Sequence, residues 1–247
     1  FLVCFIGEFC YFSFGERSCG VGAKRSPIGS RNFDERRRFW QHSSLGVFRN
    51  AHKEPFCPKL EPMCGIVGYV GPKSTLEVLI GGLRRLEYRG YDSAGVSVIA
   101  NGQLETRKKA GKLNNLVAEI EADPLPTAHI GIGHTRWATH GAPTDGNAHP
   151  HLGGQTSKLS LIHNGIIENF AELKAELLAS GTKFASETDS EVAAHLIAKA
   201  FERTGELVAA FTEVVNRLHG AFTILVIDQD QPDVVLAARR NAPLVIG

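Results

Sequence analysis

The chain has 247 residues, a formal net charge of +1, 43% hydrophobic residues and 21% charged residues. That length holds one large domain or two small ones, and the composition is that of a soluble globular protein. A charge so near zero leaves no basic footprint for nucleic acid.

The average hides a change of character at Met63, the only methionine. Residues 1–62 carry ten Lys/Arg against six Asp/Glu, whereas residues 63–247 carry seventeen against twenty. Four of the five cysteines (Cys4, Cys10, Cys19 and Cys57) also precede Met63. Phe1–Ile6 is a short apolar run, but Glu8 interrupts it and it lacks a basic n-region. It is also too short to cross a bilayer. Two other readings compete: a propeptide removed to expose Cys64, or upstream sequence read through to a true start at Met63. The second is preferred, because runs such as Asp34-Glu35-Arg36-Arg37-Arg38 match no packed element. Residues 1–62 are therefore expected to be a non-native or disordered leader. Without them a single cysteine remains, which suits a reducing cytoplasm.

Cys64 follows Met63 directly and opens the apolar run Gly65–Val70. One reading is a small buried residue at the head of a core strand. The other starts from trimming of Met63, which would leave Cys64 with a free amine beside its own thiol. An unperturbed α-amine titrates at about 7.7–8.0 and a thiol at about 8.5, so they exchange a proton near neutral pH. A nucleophile activated by its own terminal amine is a known arrangement, and a peptide bond at that nitrogen would abolish it.

Cys64–Val70 reads as a buried strand ended by Gly71-Pro72. Ser74 is placed to cap a helix through Leu86, apolar at helical spacing. Val96–Ala100 and Gln103–Lys109 form a hairpin across Asn101-Gly102. Leu113–Ile120 is a short amphipathic helix and Ile130–His134 a strand running into a polar loop. Leu159–His163 is a strand expected to end at Asn164-Gly165, and Phe170–Leu178 is a helix with Gly181 past its end. Thr188-x-x-Glu191 fits a capping box that opens the next helix. Leu207–Leu218 is helical, Ala221–Asp228 and Val234–Ala238 are strands, and Pro243–Gly247 begins one more, as though the chain were cut there. Strands in adjacent pairs and helices in blocks favour an antiparallel-rich α+β architecture over a doubly wound sheet. No phosphate loop or Gly-x-Gly-x-x-Gly fingerprint is present.

Strand ends and their following loops are where a scaffold presents chemistry. Arg136, Trp137, Thr139 and His140 lie after one strand, Asn164-Gly165 after another, and Thr188-Asp189 at a helix start. Each also has a plain explanation. Arg136 suits a surface ion pair, Trp137 a core, Asn164-Gly165 a turn, and Asp189 the first turn of a helix, where the macrodipole favours acid. His134, His140, His149, His151 and His163 raise the question of zinc. The spacing matches no Cys-x-x-Cys or His-Glu-x-x-His set, so no metal or other cofactor is expected.

Several stretches together carry a resemblance. They are Cys64–Gly68, Glu87–Gly95, His134–Gly141, Asn147–His151, His163–Asn169 and Glu187–Asp189. In this order they resemble the glutaminase domain of the glutamine–fructose-6-phosphate aminotransferase family, a class II glutamine amidotransferase domain spanning 64–247. The resemblance implies a four-layer αββα N-terminal-nucleophile hydrolase sandwich. It implies that Cys64 attacks the side-chain amide of L-glutamine while Asn164 and the Gly165 N–H hold the oxyanion. Arg136 would take the substrate carboxylate, Asp189 its ammonium, and Trp137, Thr139 and His140 would close over it. It further implies a sugar-isomerising half after Gly247 acting on fructose 6-phosphate, a homodimer at full length, and a cytoplasmic enzyme without nucleic-acid or membrane partners. An amidophosphoribosyltransferase glutaminase domain is the nearest alternative. A catalytically silent domain blocked at Cys64 and a zinc hydrolase are the others.

Overall fold

Alternation of apolar side chains along paired strands gives each sheet two buried faces, and the rest of the fold follows from covering them. The computed structural model describes residues 9–13 and 64–246. Its strands are β1 (Phe9–Ser13), β2 (Gly65–Val70), β3 (Ser93–Ala100), β4 (Gln103–Ala110), β5 (Ile130–Arg136), β6 (His151–Gly153), β7 (Leu159–Ile167), β8 (Gly220–Asp228) and β9 (Gln231–Arg240). The α-helices are α1 (Thr75–Leu86), α2 (Leu113–Ala122), α3 (Phe170–Ala179), α4 (Asp189–Thr204) and α5 (Leu207–Arg217). Among the described residues the strands form a four-stranded sheet, β2-β5-β3-β4, and a five-stranded sheet, β1-β9-β8-β7-β6. Every pairing is antiparallel.

Three apolar clusters define the layers. Leu79, Leu83, Leu113 and Leu116 of α1 and α2 pack on Val67, Val96 and Val98 of the four-stranded sheet. Val192, Ile197, Phe211 and Val214 of α4 and α5 pack on Leu161, Ile224 and Val226 of the five-stranded sheet. Between the sheets lie Ile99, Ile130, Ile132, Ile162, Leu225 and Ile227. Neighbours in one strand thus serve opposite layers: Leu161 faces helices while Ile162 faces the other sheet. This is the α–β–β–α sandwich.

Several expected boundaries move. The hairpin turn holds, with Asn101 at φ 53° and Gly102 at φ 73°. The strand expected to stop at Asn164-Gly165 continues to Ile167, because Asn164 and Gly165 pair with Thr223 and Phe222 of β8. The strand expected to end at His134 runs on to Arg136, held by Gly65 and Ser93 on either side. Ser74 occupies the N-cap of α1 without a side-chain capping bond. Thr188 does cap α4, accepting the Glu191 N–H. The Glu191 carboxylate, however, takes the Ala185 and Ser186 N–H groups and leaves the reciprocal half of the box unmade. Residues 241–246 form no strand; the Thr223 hydroxyl instead donates to the Pro243 carbonyl. The expected leader lies outside the described residues except for Phe9–Ser13, which pairs with β9.

Ile132 is fully buried between the sheets. Ile132→Ala is expected to lower unfolding free energy by about 2–5 kcal/mol, the usual cost of such a cavity. A denaturant titration checks this; a loss under about 1 kcal/mol would mean the sheets close over the gap.

Candidate active site

A cleft of about 270 Å³ opens beside the start of β2, the end of β5, the second half of β7 and the first turn of α4. All eight residues singled out from the sequence line it: Cys64, Asn164 and Gly165, and also Arg136, Trp137, Thr139, His140 and Asp189.

The Cys64 Sγ sits 3.1 Å from the Trp137 backbone N–H, which donates to it, and 3.6 Å from the Trp137 carbonyl. Burial pushes the thiol up, only partly offset by the Trp137 N–H and the Arg136 charge, while the Asp92 carboxylate adds to the rise. The next residue is pinned as well, the Gly65 N–H donating to Thr135 Oγ1 at 3.1 Å.

Asn164 reaches across from the other sheet. Its Nδ2 donates to the Cys64 carbonyl at 3.0 Å, and its Oδ1 lies 2.7 Å from His134 Nε2. Gly165 adopts φ +125°, and a Cβ there would stand 2.1 Å from the Ala221 carbonyl oxygen. Asn164-Gly165 is therefore not a turn. It is a strand position where only glycine fits, and it sets the Asn164 amide beside Cys64.

Arg136 is not in a surface ion pair. It is 3% exposed, its guanidinium donating to the carbonyls of His140, Gly141 and Ala142, with Asp92 Oδ1 3.9 Å away. The loop after β5 thus wraps its own arginine. Trp137 is not core; it stands 42% exposed at the cleft mouth. Asp189 does occupy the first turn of α4, and it is buried. Its Oδ2 accepts the Ile167 N–H at 2.9 Å and its Oδ1 the Ser190 hydroxyl at 3.3 Å.

Sequence reasoning passed over several supporting residues. Asp92 Oδ2 accepts the Ala138 N–H at 2.5 Å and so holds the peptide that faces the thiol. Thr135, His134 and Ser190 act in the same supporting way. Each lies beside or inside a motif already singled out, but nothing local marks its partner, which is 27–70 residues distant.

Behind the cleft lies a wall of buried histidines. His149 Nε2 and His163 Nδ1 both meet Ser190 Oγ, at 2.8 and 2.9 Å, and His151 Nε2 meets Thr188 Oγ1 at 3.0 Å. The His134 and His149 rings lie 4.3 Å apart. Burial pushes His134 down to about 3, drives His149 and His151 well below the ordinary imidazole range, and lowers His163 despite nearby Asp189. All four are neutral at pH 7. Among the described residues no group of three or more His, Cys, Asp or Glu is placed to hold a metal ion.

Residues 134–246 match the family described as Glutamine amidotransferase domain. The chain carries a glutamine amidotransferase domain. The domain is 63% identical over 186 residues to a glutamine–fructose-6-phosphate aminotransferase (isomerizing) of Leifsonia xyli, covering 75% of this chain and 30% of that protein. To the enzyme of the same name from Streptomyces coelicolor it is 60% identical over 185 residues, with the same coverage. The chain thus spans about 30% of the length of the curated relatives it matches. Among solved structures, glutamine phosphoribosylpyrophosphate amidotransferase from B. subtilis superposes with a TM-score of 0.58 at 26% identity, over 71% of this chain and 41% of that one. The two antiparallel sheets between helical layers are those of the N-terminal-nucleophile amidotransferases.

The histidine wall makes the amidotransferase domain acid-sensitive. A histidine whose folded pKa is depressed binds its proton more readily when unfolded. Stability is therefore lost as pH falls below about 6.5, and each such group steepens the slope by about 1.4 kcal/mol per pH unit. Glu191, held down to about 2, adds its own loss at lower pH, below the ordinary carboxylate range. Denaturant titrations at pH 7.5 and pH 5.5 are expected to show clearly lower stability at the acid value. Equal stability would mean the rings are charged or exposed.

Proposed function

We propose that this domain is the glutaminase half of a glutamine–fructose-6-phosphate aminotransferase, hydrolysing L-glutamine to glutamate and ammonia with Cys64 as nucleophile. The observation that carries this reading is the thiol itself. It is set against the Trp137 N–H and beside the Asn164 amide, in a cleft that also presents buried Arg136 and Asp189.

The mechanism needs Cys64 freed of the residues before it. Its amine then takes the thiol proton, and the sulfur attacks the side-chain amide carbon of glutamine. The tetrahedral oxyanion is held by the Asn164 NH2 and the Gly165 N–H; one such donor is commonly worth about 2.7–4 kcal/mol. The amine returns its proton to the departing nitrogen, which leaves as NH3, and a glutamyl thioester remains. Water attacks that thioester, the amine again accepting a proton, and glutamate departs with the thiol restored. Arg136, with its planar fork of donors, suits the α-carboxylate. Asp189 suits the α-ammonium. Trp137, Thr139 and His140, on the loop that Arg136 organises, close over the substrate and exclude water, which keeps the released ammonia neutral.

The high identity to enzymes named for fructose 6-phosphate supports that sugar as the acceptor, through an isomerase half beyond Gly247. Homodimeric assembly in the cytoplasm, and residues 1–62 as a leader foreign to the working enzyme, belong to the same reading. Among the described residues no helix is long and apolar enough to cross a membrane.

One observation favours a second reading. With Met63 attached, the nitrogen is an amide and burial pushes the thiol up, which describes a silent domain. Parallel expression from Met63 and from Phe1, with each N-terminus checked by mass spectrometry, separates the two. Glutamate release is expected from the form beginning at Cys64, to fall about 10²–10⁴-fold when residues 1–63 remain, and to vanish in Cys64→Ala. Undiminished release by the form that retains its leader would reject the mechanism.

A further inference from the structure

We propose that His134 is a positioning residue, whose Nε2–H holds the Asn164 amide with its oxygen turned away from Cys64 and its NH2 turned towards it. This deepens the glutaminase reading and rests on it, because the Asn164 NH2 is there an oxyanion donor.

The assignment follows from counting donors and acceptors. The Cys64 carbonyl accepts only, so the side of the Asn164 amide 3.0 Å from it must be the NH2. The opposite side is then Oδ1, which lies 2.7 Å from His134 Nε2. Two lone pairs at that separation repel, so Nε2 carries the proton and Nδ1 is bare. Nδ1 is indeed buried without a hydrogen-bond partner among the described residues. A buried acceptor left unpaired is tolerated better than a buried N–H left unpaired. The His163 carbonyl also lies near the ring, and the opposite tautomer would put the N–H on Nδ1. That tautomer would flip the amide and bring its oxygen against the Cys64 carbonyl, losing both the bond to Cys64 and the donor beside the thiol.

Among the described residues this amide has two hydrogen-bond partners, the Cys64 carbonyl on one side and His134 Nε2 on the other. The backbone of Asn164 is held by β8, but rotation about its last torsion exchanges O for N at almost no steric cost. His134 itself is held firmly: β5 lies between β2 and β3 at this position, and the His149 ring packs against it at 4.3 Å. Burial keeps the ring neutral down to about pH 3, so it orients without shuttling protons at working pH.

The test uses whichever form of the chain releases glutamate. His134→Gln keeps an N–H near the Nε2 position, whereas His134→Asn is too short to reach Asn164. We expect His134→Asn to lower kcat about 10²-fold, the usual cost of losing one oxyanion donor, with glutamine KM changed less than about threefold. His134→Gln is expected to recover to within about tenfold of the parent, with the pH profile of both variants unshifted. Alkylation of Cys64 by iodoacetamide builds no oxyanion, and it should proceed in both variants at about the parent rate. Equal defects in the two variants, a loss expressed in KM, or a matching loss of alkylation would overturn the proposal. Should the variants not fold, ¹⁵N NMR of the unmutated protein decides: a protonated Nε2 and bare Nδ1 at pH 6–8 is expected, and the reverse tautomer overturns it. The NMR result also stands if the parent releases no glutamate, in which case the glutaminase reading fails and the amide geometry is judged separately.

Discussion

The candidate site is divided between two sheets, and its chemistry depends on how firmly those sheets are held against each other. Cys64 immediately precedes β2 and Arg136 ends β5, two strands of one sheet. Asn164 and Gly165 belong to β7 of the other, and Asp189 is tied to that strand through the Ile167 N–H. The isoleucines and leucines between the sheets supply cohesion but little direction, since apolar burial is non-directional. Direction comes from polar contacts that cross the gap: Ser97 with Ser160 at 2.8 Å, and Asn164 with both Cys64 and His134. An offset of an ångström between sheets would part Cys64 from the Asn164 amide, and errors of that size cost a reacting pair about 10²-fold.

The electrostatic design follows from the same division. A free amino acid brings one positive and one negative charge, and the cleft presents buried Arg136 and Asp189 as a matching pair. The remaining wall offers hydrogen-bonding groups without net charge. Four imidazoles behind the cleft are neutral because burial makes their charged forms too costly. Neutral rings still orient hydroxyls and amides, as Ser190, Thr188 and Asn164 show.

The sandwich was legible where the pattern is local. Apolar runs and turn signals marked the strands from β2 onward except short β6, whereas β1 lies in the stretch expected to be a disordered leader. Helical spacing found all five helices, and Asn101-Gly102 named its own turn. Legibility failed where the deciding partner is remote. Asn164-Gly165 looks like a turn until Ala221, 56 positions on, is found pressed against Gly165. Glu191 looks like half of a capping box until its carboxylate is seen holding Ala185 and Ser186. Arg136 looks like a surface charge because nothing in its neighbourhood announces that its own loop will bury it. The site residues stood out through resemblance of whole motifs. Local chemistry alone left each of them with an ordinary explanation; it weighed His134 only as a zinc ligand and gave Asp92 no role.

To act as the proposed nucleophile, the Cys64 thiol must lose its proton. The hydrogen bonds of the Cys64 Sγ both go to the Trp137 backbone, and neither reaches a side-chain base. One nitrogen of each buried histidine is engaged by Ser190, Thr188 or Asn164, and burial disfavours protonation of all four. The Arg136 charge and the Trp137 N–H favour a thiolate, but burial outweighs them while a peptide bond precedes the cysteine. In the proposed mechanism the proton acceptor is the nitrogen of Cys64 itself. An amide nitrogen has no basic lone pair, whereas a terminal amine titrates within about one unit of a thiol. In the proposed mechanism, therefore, the scaffold holds the sulfur in place without activating it, and a free Cys64 amine would supply the missing base.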